Sequence, residues 1–80
     1  MRVKVKLFAV VRERVGKGEV DLELEEGATV EGLRGELARR FAIAALLERV
    51  AWAVNQEYAR LDAALRDGDE VAVIPAVSGG

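Results

Sequence analysis

The stretch VDLELEEGATVEGLRGELARRF, residues 20 to 41, decides the fold because its hydrophobic period changes partway along. Residues 20 to 25 alternate between apolar and acidic side chains, which is the period of a half-buried strand. A break at residues 27 to 29 follows, with Thr29 as a plausible N-cap. Apolar side chains then recur at helical spacing, and they are Val30, Leu33, Leu37 and Phe41. A strand followed at once by the main helix is therefore predicted.

Two glycines interrupt this helix, at Gly32 and Gly35. Each lowers helix stability by up to about 1 kcal/mol relative to alanine. The helix is therefore expected to depend on packing against a sheet, and the small residues are interpreted as sites of close backbone approach.

Towards the N-terminus, residues 2 to 8 alternate as a strand, with Val, Val and Leu on one face and mostly Lys on the other. Phe8 is the exception on the lysine face, and it either closes the strand end or is presented to a partner. In residues 9 to 15, Val11 and Val15 lie four residues apart, which predicts one or two helical turns before a glycine-containing connection.

Towards the C-terminus, Trp52 and Val54 indicate a third strand, and residues 55 to 57 lead into a turn. The Asp-Gly-Asp sequence at residues 67 to 69 predicts a turn before a last strand at residues 70 to 75. Two segments are less regular. Residues 42 to 50 are interpreted as irregular or short helical, and residues 61 to 65 as a short turn or strand.

This order predicts an α+β fold: a mixed sheet with one main helix packed on one face, plus short helical turns. The ubiquitin-like β-grasp fits best at this length. The domain is assigned to residues 1–77, and residues 78–80 are expected to form a flexible Ser-Gly-Gly tail.

Composition limits the partners of the chain. Eighty residues with 51% hydrophobic and 32% charged side chains make one globular domain. The net charge of -2, without basic clusters, argues against nucleic acid. Because no apolar run approaches the length of a membrane span, a cytoplasmic protein without membrane contact is expected.

Several reactive side chains are missing. The chain has no Cys or His, and Ser78, Thr29 and Tyr58 are each the only residue of their type. A Ser-His or Cys-His nucleophile pair cannot be built, and neither can a zinc site of the usual nitrogen and sulfur ligands. No metal site is predicted, and the chain is not expected to be an enzyme on its own.

The C-terminus offers a different chemistry. An apolar strand leads almost directly to Ser78, Gly79 and Gly80. Because glycine lacks a Cβ, an extended pair is thin enough to deliver the terminal carboxylate into the active site of another protein. A carboxylate is a poor acyl donor, so such a carrier needs activation, with ATP the obvious source. A frayed chain end or an expression remnant is the competing interpretation.

Several motifs, in their order along the chain, resemble those of one family. This family is the small subunit of molybdopterin synthase, within the superfamily of β-grasp sulfur carriers. The motifs are Phe8-Ala9 with Arg12-Glu13, Thr29-Val30-Glu31-Gly32-Leu33, Val54-Asn55-Gln56, Leu65-Arg66-Asp67-Gly68-Asp69-Glu70-Val71 and Ile74-Pro75-Ala76-Val77-Ser78-Gly79-Gly80. The resemblance spans essentially the whole chain. One departure is Ala76, where the family often has a second proline.

The resemblance implies a reaction sequence at Gly80. An adenylating enzyme related to ubiquitin activators uses ATP to join AMP to the Gly80 carboxylate. A sulfurtransferase or cysteine desulfurase then supplies the sulfur of a thiocarboxylate. The tail enters the large synthase subunit, in a heterotetramer, and donates sulfur to cyclic pyranopterin monophosphate to form the molybdopterin dithiolene. No cofactor is bound by the carrier itself.

Four apolar residues near the tail or off the core alternation are candidates for the partner interface: Phe8, Ile74, Pro75 and Val77. The competing interpretation is that they complete the core. The residues also leave two alternative functions open. One is the sulfur carrier of the thiamine pathway, which shares the fold and the Gly-Gly end, and the other is a β-grasp module that binds a protein without covalent chemistry.

Overall fold

The computed structural model describes residues 1–76. Five strands, two α-helices and a short 3-10 helix follow one another in this part of the chain. They are β1 (Arg2–Leu7), α1 (Ala9–Val15), β2 (Glu19–Glu23), α2 (Val30–Phe41), the 3-10 helix (Leu46–Arg49), β3 (Val50–Val54), β4 (Glu57–Ala59) and β5 (Glu70–Pro75). None of the helices described is both long enough and apolar enough to cross a membrane.

The strands form one mixed sheet in the order β2-β1-β5-β3-β4. The first and last strands, β1 and β5, lie side by side and parallel, in a register that joins Lys4 to Glu70 and Leu7 to Val73. The other neighbouring strands are antiparallel. The predicted α+β arrangement with a mixed sheet is confirmed.

The core lies between α2 and one face of the sheet. Alternate residues of the strands point into it because successive side chains of a strand lie on opposite faces. Helix α2 contributes Val30, Leu33 and Leu37, each with no exposed surface. The other core residues are Val3, Val5, Leu7, Val11, Val20, Leu22, Ile43, Leu47, Trp52, Leu65, Val71 and Val73. The helical stripe and the strand alternation read from the sequence therefore meet in one hydrophobic cluster.

The loop at residues 61 to 65 completes the start of α2. Thr29 is the N-cap, as predicted, and its hydroxyl oxygen accepts a hydrogen bond from the Gly32 N–H at 3.3 Å. The N–H of Val30 donates to the Ala63 carbonyl at 3.0 Å, and the N–H of Glu31 donates to the Leu61 carbonyl at 2.9 Å. Since the first N–H groups of a helix have no partner within it, this loop supplies the missing acceptors.

Strand β4 was not predicted from the sequence. Residues 55 to 57 were expected to lead into a turn, but the turn is confined to Asn55 and Gln56, and Glu57 already pairs with Val54. Three residues are too few to show a period of two, so the short edge strand has no clear sequence signal.

The expectation of close backbone approach at the α2 glycines was wrong. A Cβ built on Gly35 meets nothing within 4 Å, and one on Gly32 meets only Thr29 and Ala28, at 3.9 and 4.0 Å. Both glycines lie on the exposed side of the helix. Packing of α2 against the sheet therefore does not require them.

Gly35→Ala should raise the free energy of unfolding by about 0.5–1 kcal/mol, because alanine restricts the unfolded chain and favours the helix without a clash. Equilibrium urea unfolding measures the change. Gly68→Ala is the matched control: Gly68 has a φ of +87°, which alanine tolerates poorly, so this variant should be less stable than the wild type. A destabilised Gly35→Ala would contradict the open surroundings of Gly35.

Candidate partner-binding groove and tail

The sheet face opposite α2 is uncovered in the described chain, and it has two different halves. Along β1 the even-numbered residues point to this face, and along β5 so do Glu70, Ala72 and Ile74, because the residues that alternate with them are buried in the core: Val3, Val5 and Leu7 of β1, and Val71 and Val73 of β5. The half formed by β1 and β2 is charged. The half formed by β5, β3 and β4 is mostly apolar.

An apolar groove of about 410 Å³ occupies the second half. Its lining consists of Phe8, Ala53, Gln56, Tyr58, Ala72 and Ile74. The register places Ala72 opposite Ala53, and Ala53 opposite Tyr58, on one rung of the sheet. Because the two alanines have only a methyl side chain, they form a floor between the larger side chains.

The walls of this groove are exposed. Phe8 has 44% of its surface accessible and Tyr58 has 80%, the largest value for a bulky hydrophobic residue in the described chain. Large apolar side chains at this exposure are the usual anchors of protein interfaces. The groove is therefore suited to an apolar segment of a partner.

Ion pairs cover the charged half of the face. Both Lys4 and Lys6 approach the Glu19 carboxylate at 3.6 Å, and Arg2 pairs with Glu23 at 3.0 Å. Lys6 is the β1 neighbour of Ala72, so the charged rows begin directly beside the groove floor. An apolar centre with a charged border is the usual anatomy of a protein interface.

A hydrogen-bond network holds the hairpin that carries Tyr58. Asn55 donates from its side-chain amide to the Asp69 carboxylate at 2.9 Å, and its side-chain oxygen accepts from the Glu70 N–H at 3.0 Å. The other Asp69 oxygen accepts from the Arg66 N–H at 2.8 Å. These bonds tie the turn between β3 and β4 to the start of β5. The wall that carries Tyr58 is therefore fixed relative to the floor.

Strand β5 leads from the groove to the C-terminus. Pro75 is its last residue, opposite Val50, where the missing N–H of proline disturbs no further pairing. The next N–H, that of Ala76, donates to the Arg49 carbonyl at 3.0 Å. The described chain is thus anchored up to its last residue, close to Ile74 of the groove.

The structure brings together two of the four predicted interface residues. Phe8 and Ile74 both line the groove. Phe8 therefore belongs to the sheet face opposite α2, the free face, and not to the core cluster. Pro75 is half-buried and, by the alternation of β5, lies on the α2 side of the sheet. Val77 and the three predicted tail residues, Ser78, Gly79 and Gly80, lie outside the described residues.

Sequence reasoning missed the other four groove residues, which are Ala53, Gln56, Tyr58 and Ala72. Ala53 and Ala72 alternate correctly with core residues, but alanine is too small to indicate which face matters. Tyr58 was noted only as the single Tyr, because β4 was not predicted.

A carboxyl group with a shifted pKa lies on α2, away from the groove. Hydrogen bonding from Arg39, with a smaller contribution from Arg40, lowers the pKa of the Glu36 carboxyl on α2. Within residues 1–76 no cluster of three or more acidic, His or Cys side chains could hold a metal ion.

The fold matches solved structures over its full length. SAMP1 from Haloferax volcanii superposes with a TM-score of 0.89 at 28% identity, with complete coverage of both chains. The putative molybdopterin converting factor subunit 1 from Pyrococcus furiosus gives 0.85 at 38% identity, covering 96% of this chain and 99% of the other. These proteins have the ubiquitin-like β-grasp fold of sulfur carriers, so the predicted fold is confirmed.

The sequence comparisons lead to the family. Residues 5–80 match the ThiS family. Molybdopterin synthase sulfur carrier subunits are 43% identical in Chlamydomonas reinhardtii, over all of both chains, and 42% identical in Escherichia coli, over 98% of this chain and 99% of the other. The chain belongs to the ThiS family.

Substitutions at Leu7 and Phe8 test whether these neighbouring residues lie on opposite faces of the sheet. Leu7 is 1% exposed in the core, so Leu7→Ala should lower the free energy of unfolding by about 2–5 kcal/mol. Phe8 lies on the free face, so Phe8→Ala should cost no more than about 1 kcal/mol despite the larger side chain removed. Urea unfolding of both variants measures this difference. Equal losses would mean that Phe8 is a core residue after all.

Proposed function

We propose that this chain is the sulfur carrier subunit of molybdopterin synthase, with the terminal carboxylate of Gly80 as the site of sulfur transfer. The observation that carries the proposal is the apolar groove on the sheet face opposite α2, which includes Ala72 and Ile74 of β5, the strand that precedes the Gly79-Gly80 end in the sequence. Groove and tail then serve one purpose: the groove binds the partner, and the tail enters the partner's active site.

Tail length agrees with this division of roles. Beyond the Ala76 anchor, four residues remain before the end of the chain. Four residues span at most about 14 Å when extended. That length is sufficient to carry a carboxylate from the surface of the domain into a buried site, and two glycines keep its final part narrow.

Activation requires a second protein. Attack of the Gly80 carboxylate oxygen on the α-phosphorus of ATP forms an acyl adenylate and releases pyrophosphate. A sulfurtransferase or cysteine desulfurase then supplies sulfur as a protein persulfide, whose terminal sulfur attacks the acyl carbon while AMP departs. A thiol cleaves the sulfur–sulfur bond of the resulting acyl disulfide, supplying two electrons and itself becoming a disulfide, so that a thiocarboxylate is left on Gly80. In this scheme the carrier provides the acyl group and the other proteins provide the catalytic side chains.

Sulfur delivery takes place in the large subunit. The thiocarboxylate sulfur is transferred to cyclic pyranopterin monophosphate, and two deliveries complete the dithiolene of molybdopterin. Support for this partner comes from a solved complex of subunits 1 and 2 of molybdopterin-converting factor from Helicobacter pylori, which contains a chain 25% identical to this one with a TM-score of 0.73. A heterotetramer with the carriers at the ends of a large-subunit dimer is part of the proposal.

Two alternatives make different predictions. A carrier for the thiamine pathway would also acquire sulfur at Gly80 but would not bind the large subunit of molybdopterin synthase. A β-grasp module without covalent chemistry would bind its partner and keep an unmodified carboxylate. The names of the curated relatives at 42–43% identity favour the molybdopterin pathway over both.

Thiocarboxylate formation is the decisive prediction. After incubation with the adenylating enzyme, ATP and a sulfur donor, intact-mass measurement should find one oxygen of the chain replaced by sulfur. A variant that lacks Gly80 should gain no sulfur, because its new terminal residue ends the tail one position short. Unchanged mass of the wild type, with an active enzyme and a known carrier as positive control, would rule out the carrier function.

Groove binding is tested separately with Tyr58→Ala. Because Tyr58 is 80% exposed, the variant should unfold within about 0.5 kcal/mol of the wild type, yet bind the large subunit at least about tenfold more weakly. Calorimetric titration measures the affinity. Arg40→Ala, on α2 beyond the other face of the sheet, is the matched control and should bind like the wild type. Wild-type affinity for Tyr58→Ala would contradict docking at the groove.

A further inference from the structure

A two-residue turn connects β3 and β4 and forms one end of the groove. Val54 pairs with Glu57, which leaves Asn55 and Gln56 as the central residues of the turn. Their φ angles are +51° and +72°. Positive values at both central positions are those of the type I′ hairpin turn, in which Asn-Gly is the favoured pair.

Asn55 is well suited to its position. Asparagine tolerates the left-handed region better than most residues, and its side chain makes the hydrogen bonds to Asp69 and Glu70 described above. The Asn55 side chain therefore stabilises the fold directly.

Gln56 is not suited in the same way. Glycine is favoured at the second position because a Cβ crowds the backbone when φ is positive. In residues 1–76 the side-chain hydrogen bonds do not involve the Gln56 carboxamide, so no internal contact compensates for the strain. A strained residue that contributes nothing to the fold points to a role in recognition.

The location of Gln56 indicates that role. It lines the apolar groove together with Phe8 and Tyr58, and of the six lining residues only Gln56 and Tyr58 have side chains that contain polar atoms. A carboxamide donates and accepts hydrogen bonds at once. A partner segment that buries itself in the groove also buries backbone N–H and C=O groups, which need such partners.

We infer that Gln56 is a specificity-determining contact: its carboxamide hydrogen-bonds the backbone of the large-subunit segment that occupies the groove. The inference rests on the proposed function, since it assigns the groove to that partner. The strained turn then places the carboxamide at the rim, where the partner backbone passes. Glycine in the same position would relax the turn and remove the contact.

Three variants of the full chain separate strain from recognition. Gln56→Gly relieves the strain and removes the carboxamide. Gln56→Met keeps the Cβ, the length of the side chain and the strain, but removes the polar atoms. Ala42→Gly is the matched control, because Ala42 also has a positive φ, +55°, but lies at the C-terminal end of α2 and outside the groove lining.

Thermal midpoints and affinity for the large subunit are measured for each variant. Gln56→Gly and Ala42→Gly should both raise the thermal midpoint by a few degrees, about 4 °C, since each relieves one strained residue. Gln56→Met should leave the midpoint unchanged. Both Gln56 variants should bind the large subunit about 3- to 10-fold more weakly, the usual effect of one hydrogen bond, whereas Ala42→Gly should bind like the wild type.

Two results would overturn the inference. Wild-type affinity for Gln56→Met would mean that the polar atoms of Gln56 make no contact with the partner. An unchanged midpoint for Gln56→Gly, with a raised midpoint for Ala42→Gly, would mean that the turn is not strained by Gln56. Failure of the wild-type chain to bind the large subunit is a different outcome, because it would contradict the proposed function itself.

Discussion

The parallel pairing of β1 with β5 is the interaction on which the rest of the structure depends. It joins the two ends of the chain at the centre of the sheet, and its inward side chains, among them Val5 and Val71, have no exposed surface. Parallel neighbours cannot be joined by a tight turn, so everything between them must pass over or beside the sheet. Helix α2 takes the route across one face and closes the core.

The same pairing also organises the functional face. Since β1 and β5 run in the same direction, Phe8 at the end of one lies near Ile74 at the end of the other, and both line the groove. The chain then continues from β5 towards its terminus. A candidate binding groove is thus formed by two strands that are far apart in sequence, and the second of them leads into the last residues of the chain.

The two faces of the sheet have different roles because the domain is small. A domain of this length has one sheet and one long helix, so only one face of the sheet can be buried. The other face is available for recognition, and it can include side chains that the fold does not need, such as Tyr58 and Gln56. The domain needs no nucleophile of its own if its terminus is the group that reacts.

The sequence by itself determined the elements with a strong period and the side chains that are available for chemistry. Alternation in residues 2 to 7 and the helical stripe from Val30 to Phe41 follow from local geometry, and the lack of Cys and His is a matter of composition. Only the tertiary structure decided which strands are neighbours, that β4 exists, and that Tyr58 shares a groove with Phe8. The physical reason is that strand pairing joins residues distant along the chain, so no local pattern contains the register on which the groove depends.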